Sequence, residues 1–199
     1  MKYLPRKPPR YTQDNSPYFL TFCTFKRSQL LHAPGIPEFL IEELRFYGER
    51  LRRLVAYTIM PDHVHLLVEV EQARSLSDFL RNFKSYTSKK IETILREGSR
   101  RQLAVEGGCT GTLTGGQLLQ PGRFWQPGTM DHCIRLSGES NDYENHLSYL
   151  FFNSYKHLGI APKNFPYHNF SEFVVQGIFD KDFCSVDEQI VKRYALPEE

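Results

Sequence analysis

Residues 53–70 read RLVAYTIM-PD-HVHLLVEV, and this stretch decides the fold. Both halves are rich in β-branched, aromatic and aliphatic residues, the composition of strands. Only Pro61-Asp62 separates them. That dipeptide suits a turn, so the halves are expected to pair as a tight antiparallel hairpin. Successive side chains on a strand point to opposite faces. Val64, Leu66, Val68 and Val70 therefore share one face and belong in a core, while His63 and His65 share the other. Two neighbouring imidazoles can hold one divalent ion. Taken alone, a His-x-His pair is equally an ordinary feature of a half-buried strand.

The flanks complete the pattern. Residues 18–25 (YFLTFCTF) read as a strand. Residues 37–51 carry Leu40, Leu44, Tyr47 and Leu51 at helical spacing, with Pro37 suited to a first turn. After the hairpin, Ser75 and Asp78 have the spacing of a capping box, with an acid in place of the usual Glu or Gln. They open a helix whose apolar stripe is Leu76, Phe79, Leu80, Phe83, Ile91 and Ile94. Residues 98–122 hold seven of the chain's 13 glycines and show no periodicity, so they read as a flexible insertion. Residues 123–135 (RFWQPGTMDHCIR) return to extended character, and Asn141 with Glu144 opens a last helix. The first six elements match a ferredoxin-like (RRM-like) α+β sandwich, an antiparallel sheet with helices on one face. The last helix is additional. The expected organisation is one domain over 1–199, with a basic N-terminal arm (1–17), the insertion (98–122) and a C-terminal tail (160–199) whose elements the pattern does not place.

Composition narrows the function classes. Hydrophobic residues make up 40% and charged residues 24% of 199 residues, enough for a sizeable core. A net charge of +2 neither demands nor excludes a nucleic-acid partner. Cys23, Cys109, Cys133 and Cys184 form no CxxC pair, which speaks against a structural zinc site or a disulfide scaffold. The N-terminus, MKYLPRKPPRY, has no apolar signal stretch, and no run approaches the roughly 20 apolar residues of a membrane span. A cytoplasmic protein without a membrane partner is expected.

The last helix carries the second chemical signal. At about 100° per residue, Tyr143, Leu147, Leu150, Phe151 and Leu158 form an apolar stripe. Asp142, His146, Tyr149, Asn153 and Lys156 fall on the opposite face. Asn153 lies one turn beyond Tyr149, so the two are neighbours. A surface tyrosine beside a polar residue is common, and this pair too is weak alone.

Together the motifs are more specific. IMPDHVHLLVEV around the histidines, then FWQ…DHCIR, then a helix with Tyr-x-x-x-Asn, resemble the single-tyrosine His-hydrophobic-His transposases of insertion sequences. The resemblance extends to their relatives associated with repetitive extragenic palindromes. It runs from about Tyr18 to Gly159, interrupted by the glycine-rich segment. The Asn-Pro pair usual in that family is Asn153-Ser154 here. The resemblance implies that His63, His65 and Asn153 hold Mg²⁺ or Mn²⁺. It implies that Tyr149 is the nucleophile, forming a 5′-phosphotyrosine with single-stranded DNA, typically a hairpin-forming palindrome. It implies a monomer or homodimer, since insertion-sequence members act as dimers that exchange the tyrosine helix and palindrome-associated relatives can act as monomers.

Weaker DNA-contact candidates are Lys84, Lys89 and Lys90 on the second helix, Trp125 as a base-stacking residue, and His132 and Lys156. For each, a solvated surface or a core position is the competing reading. Two other functions stay open. A replication or relaxase nuclease of the same metal chemistry usually carries its tyrosine near the N-terminus, where Tyr3 and Tyr11 stand, and a third histidine ligand. A catalytically inert single-stranded nucleic-acid binder would use the same sheet.

Overall fold

The computed structural model describes residues 13–105, 124–136 and 141–184. The elements are β1 (Ser16–Cys23), α1 (Ile36–Gly48), β2 (Arg53–Ile59), β3 (His63–Val70), α2 (Ser75–Val105), β4 (Met130–Cys133), α3 (Asp142–Leu158) and a short α4 (Phe170–Val175). The strands form one sheet in the order β2-β3-β1-β4, with every pairing antiparallel. This is the ferredoxin-like α+β arrangement expected from the hairpin. The turn is Met60–Asp62, closed by the Met60 N–H donating to the His63 carbonyl at 2.8 Å.

Two cores flank the sheet. On one face, Tyr18, Leu20 and Phe22 of β1 and Val64, Leu66, Val68 and Val70 of β3 pack against Leu40 and Leu44 of α1 and Phe79 and Phe83 of α2. The alternation read from the sequence therefore sets the inward face of β3. On the other face, Phe19, Leu67, Val55 and Ala56 pack against Leu147, Leu150 and Phe151 of α3 and Phe170 and Phe173 of α4. The sheet is covered on both sides: α1 and α2 share one face, and the tyrosine-bearing helix takes the other. A register shift in β2 between Leu54 and Ala56 inserts Val55 as an extra residue, so Val55 and Ala56 both reach the α3 core.

Several expectations are corrected. Helix α2 continues to Val105, so residues 98–105 are helical and not loop. Gly98 costs only about 1 kcal/mol within a helix, and Arg100, Arg101, Gln102, Leu103 and Ala104 are strong helix formers. The remainder of the glycine-rich segment, 106–122, lies outside the described residues, as do 1–12 of the basic arm and 185–199 of the tail. Neither capping box forms. Ser75 lies within the helix and donates to the Gln72 carbonyl at 2.6 Å, and Asp78 instead accepts from Arg81 at 2.7 Å. Asn141 precedes α3 but makes no side-chain cap bond.

The segment that periodicity did not place runs along the outer edge of β2. The Ile59 N–H donates to the Tyr167 carbonyl at 2.9 Å. The Asn169 side chain accepts from the Tyr57 N–H at 3.1 Å and donates to the Val55 carbonyl at 3.0 Å. These bonds satisfy backbone groups that an open edge strand would leave unpaired.

Gly48 closes α1, and a Cβ there would lie 2.7 Å from Leu54 Cβ. Alanine gains up to about 1 kcal/mol in helix propensity. The clash, however, is with an atom anchored to the β2 backbone, and overpacking costs typically about 1–3 kcal/mol. Gly48→Ala is expected to lower the urea unfolding midpoint; a raised midpoint would show that α1 shifts freely off β2.

Candidate active site

Strand β3 presents His63 and His65 on the face covered by α3, with ring centroids 4.7 Å apart. Both are buried, at 8% and 4% exposure, so neither is the solvent-facing residue that a bare His-x-His pair suggests. The β1–β3 register sets Thr21 opposite His65, and Thr21 Oγ1 meets His65 Nδ1 at 2.8 Å. His63 Nδ1 lies 2.6 Å from Asp62 Oδ1, and Asp62 also pairs with Arg27 at 3.5 Å. A carboxylate that accepts the Nδ1 proton leaves Nε2 with its lone pair, the form that can ligate a metal.

The electrostatics favour that state. Burial alone would raise the Asp62 carboxyl, but the hydrogen bond and charge of His63 and the Arg27 guanidinium outweigh it and hold the group below its ordinary range. Burial pushes His65 well below the ordinary imidazole value, helped by the positive charge that His63 and His157 carry when protonated. His65 is therefore a neutral imidazole around pH 7.

Helix α3 brings the other residues in. The Tyr149 ring lies 5.6 Å from the His65 ring and 6.0 Å from Phe19, and Lys156 Nζ sits 5.9 Å from the Tyr149 ring centre. Asn153 is fully buried, and its Nδ2 donates back to the Tyr149 carbonyl at 2.6 Å. The Asn153 side chain also acts on His65, weakly favouring its protonated form. Two atoms are left over: His65 Nε2 and Asn153 Oδ1 are both buried without a hydrogen-bond partner. An unsatisfied buried polar group costs about 1–3 kcal/mol. A divalent cation accepts electron pairs from both atom types, so this donor set fits one.

The apolar stripe of α3 packs on the sheet through Leu147, Leu150 and Phe151, and the polar stripe reaches it as well, with Asn153 buried and Asp142, His146, Tyr149 and Lys156 half-buried. His146 packs on Phe19 at 5.0 Å, and Asn153 is buried, while Leu158 of the expected apolar stripe is 37% exposed. The wheel identified which residues share a face, but not that the sheet offers that face polar partners.

The weaker candidates separate. Trp125 is a core residue at 6% exposure, packed on Phe22 and donating to Thr87 Oγ1 at 2.9 Å, which removes it as a base-stacking residue. Lys84 donates to Thr129 Oγ1 at 2.9 Å and to the Gly128 carbonyl, tying down that loop. Lys89 and Lys90 are exposed, but on a helix that packs against the opposite sheet face from α3. Lys156 stays beside Tyr149. His132 meets Asp142 on the α3 side, at 3.0 Å. Three neighbours of the site were not among the candidates. Asp62 was legible as the acid just before the first histidine, whereas Thr21 needs the strand register and His157, 5.9 Å from His63, needs the docked helix.

A family model for IS200-like transposases matches residues 12–105, which contain both histidines and end before Tyr149. A Haemophilus influenzae protein provisionally named a REP-associated tyrosine transposase is 29% identical over 167 residues, covering 83% of this chain and 86% of the relative. Over residues 12–105 the chain is similar to the IS200-like transposases, and over most of its length to a protein named a REP-associated tyrosine transposase. The matched family and the relative are named transposases, which are DNA cleaving and joining enzymes. A solved structure of a REP-associated tyrosine transposase bound to a REP hairpin superposes with a TM-score of 0.63 at 20% identity, covering 91% of this chain and 92% of that one, and shows the shared fold. Among the described residues no helix is long and apolar enough to cross a membrane.

Buried neutral imidazoles set an acid limit on stability. His168 is lowered from 6.5 to about 4 by burial, and His65 is also lowered. A depressed imidazole makes the unfolded chain bind more protons, so stability is complete above about pH 6.5 and falls as pH drops toward about 4. For metal-free protein, the urea midpoint is expected to fall between about pH 7 and about pH 5, and to fall less in His168→Gln. Equal losses in both proteins would show that His168 is solvated in the native state.

Proposed function

We propose that this chain is a transposase, a metal-dependent single-stranded DNA endonuclease and strand transferase acting on hairpin-forming palindromes through a 5′-phosphotyrosine at Tyr149. The observation that carries the reading is the meeting of Tyr149 with His65 on one face of the sheet, beside the two unpaired atoms His65 Nε2 and Asn153 Oδ1. An inert binding module has no use for a buried, unsatisfied ligand set. That a relative of this fold was solved on a REP hairpin supports hairpin DNA as the substrate.

His63, His65 and Asn153 would hold Mg²⁺ or Mn²⁺. When bound, the ion supplies charge neutralisation at the scissile phosphate. The chain's own groups do the rest. Asp62 and Thr21 fix the orientation of the two imidazoles. Asn153, bonded to the Tyr149 carbonyl, ties the ligand set to the helix that bears the nucleophile. The Tyr149 oxygen attacks phosphorus in line, forming a P–O bond to tyrosine as the bond to the 3′ oxygen breaks. The phenolic proton leaves, and the departing 3′ oxygen takes up a proton to end as a free hydroxyl. Because the phosphodiester is exchanged and not hydrolysed, a 3′ hydroxyl can reverse the step without a nucleotide cofactor. The docking of α3 on its own sheet supports action as a monomer.

The test is chemical. Protein is incubated with a hairpin oligonucleotide from the DNA flanking its gene and Mg²⁺ or Mn²⁺, then run on a denaturing gel. Wild type should give a protein–DNA adduct through the DNA 5′ end, Tyr149→Phe none, and His63→Ala little even at high metal. Asp62→Asn should lose about 10–100-fold, as outer-shell partners of metal ligands do. An adduct that persists in Tyr149→Phe and vanishes in Tyr143→Phe or Tyr155→Phe would assign the nucleophile elsewhere. No adduct with any flanking hairpin would favour the binding module.

A further inference from the structure

A second histidine cluster lies outside the site described above. His132 of β4, Asp142 at the start of α3 and His146 one turn later bring one ligand atom each within 4.8 Å of one another. His132 Nε2 is 3.0 Å from Asp142 Oδ2, and His146 Nδ1 is 2.9 Å from Asp142 Oδ1. The two imidazoles stack, with centroids 4.6 Å apart and planes at 12°. The Arg135 N–H donates to the same carboxylate at 2.9 Å, fixing its orientation. Burial works against the Asp142 charge, but that N–H and the two histidines hold its pKa below the ordinary carboxylate range, so it is ionised.

We propose that His132, Asp142 and His146 form a second metal site, of the Zn²⁺ or Co²⁺ class, that clamps edge strand β4 to the first turn of α3. Two imidazole nitrogens and one carboxylate oxygen are a ligand set for zinc, with a fourth position open to water. Bonds of about 2.0–2.1 Å in tetrahedral geometry need ligand atoms roughly 3.3 Å apart. Each histidine nitrogen lies about 3 Å from one of the two Asp142 oxygens, and one atom from each residue lies within 4.8 Å of the others, so only small side-chain movements are needed. His146 Nδ1 points at both the carboxylate and the Asp142 carbonyl, and it offers a lone pair to a metal when the ring proton sits on Nε2. The positive end of the α3 dipole opposes a cation here; the ionised Asp142 offsets it.

Position gives the site its consequence. The Phe19 ring lies 5.0 Å from His146, 6.0 Å from Tyr149 and 5.4 Å from His65. An ion at the cluster would therefore fix the N-terminal end of the helix whose next turn carries Tyr149. The site does not depend on the role proposed for Tyr149.

The experiment counts equivalents. Untagged, chelator-treated full-length protein is titrated with Zn²⁺ by calorimetry and with Co²⁺ by visible absorbance, in wild type and His132→Ala. His132 lies on an edge strand with its side chain 44% exposed, so its loss should leave the fold intact by circular dichroism. His132→Gln, which retains a polar side chain, is the second variant. Wild type should bind one equivalent more than either variant, with a tetrahedral cobalt spectrum. At about a hundred times its Kd, Zn²⁺ should raise the wild-type melting temperature by about 5–10 °C more than that of either variant. Equal stoichiometry in wild type and both variants overturns the proposal. So does a thiolate-to-cobalt charge-transfer band on the extra equivalent, which would place that ion on cysteine.

Discussion

The two-residue period of β3 is the constraint on which the rest depends. The strand lies inside the sheet with both faces covered, so each of its side chains must serve one of two cores. Val64, Leu66, Val68 and Val70 are committed to α1 and α2 by the hydrophobic effect. That commitment forces His63 and His65 toward α3. A slip of one residue would drive two imidazoles into an apolar core and four aliphatic side chains to the other face, so the register is held strongly. The polar site is in this sense a by-product of the apolar one.

Burying polar residues between a helix and a sheet is costly unless each finds a partner. Most do. His63 has Asp62, His65 has Thr21, Thr58 Oγ1 donates to the Leu150 carbonyl at 3.0 Å, and Asn153 spends its amide protons on the Tyr149 carbonyl. The two atoms without partners lie where the transposase family's resemblance places a metal, and they belong to different elements. Docking α3 is what creates the deficit. Phe19 organises this interface, since one ring touches His65, Tyr149 and His146 and so couples the histidine strand to two successive turns of α3.

The sheet edges are managed unequally. The β2 edge is closed by Tyr167 and Asn169, which accept or donate backbone bonds. The other edge, β4, is only four residues long and meets α3 through His132 and Asp142. Side-chain chemistry thus stands where a longer ladder would otherwise hold the start of the tyrosine helix.

What the sequence determined by itself is what local periodicity encodes. The hairpin, the element order, the two faces of β3 and the shared face of Tyr149 and Asn153 follow from residues two or four apart, whose geometry is fixed by strand pleat and helix pitch. The extension of α2 to Val105 was also written there, in propensity, but glycine density masked it. Tertiary structure alone decided what the polar face of α3 meets. Helix periodicity reports where polar residues are, and assumes that polar means solvated; here β1 and β3 offer Phe19, Thr21 and His65, so Asn153 is buried and its polar neighbours on the helix are half-buried. The same holds for Thr21 opposite His65, for Trp125 in the core and for His132 against Asp142 and His146. Each joins residues distant in the chain, and those contacts exist only once the strands have paired and the helix has packed.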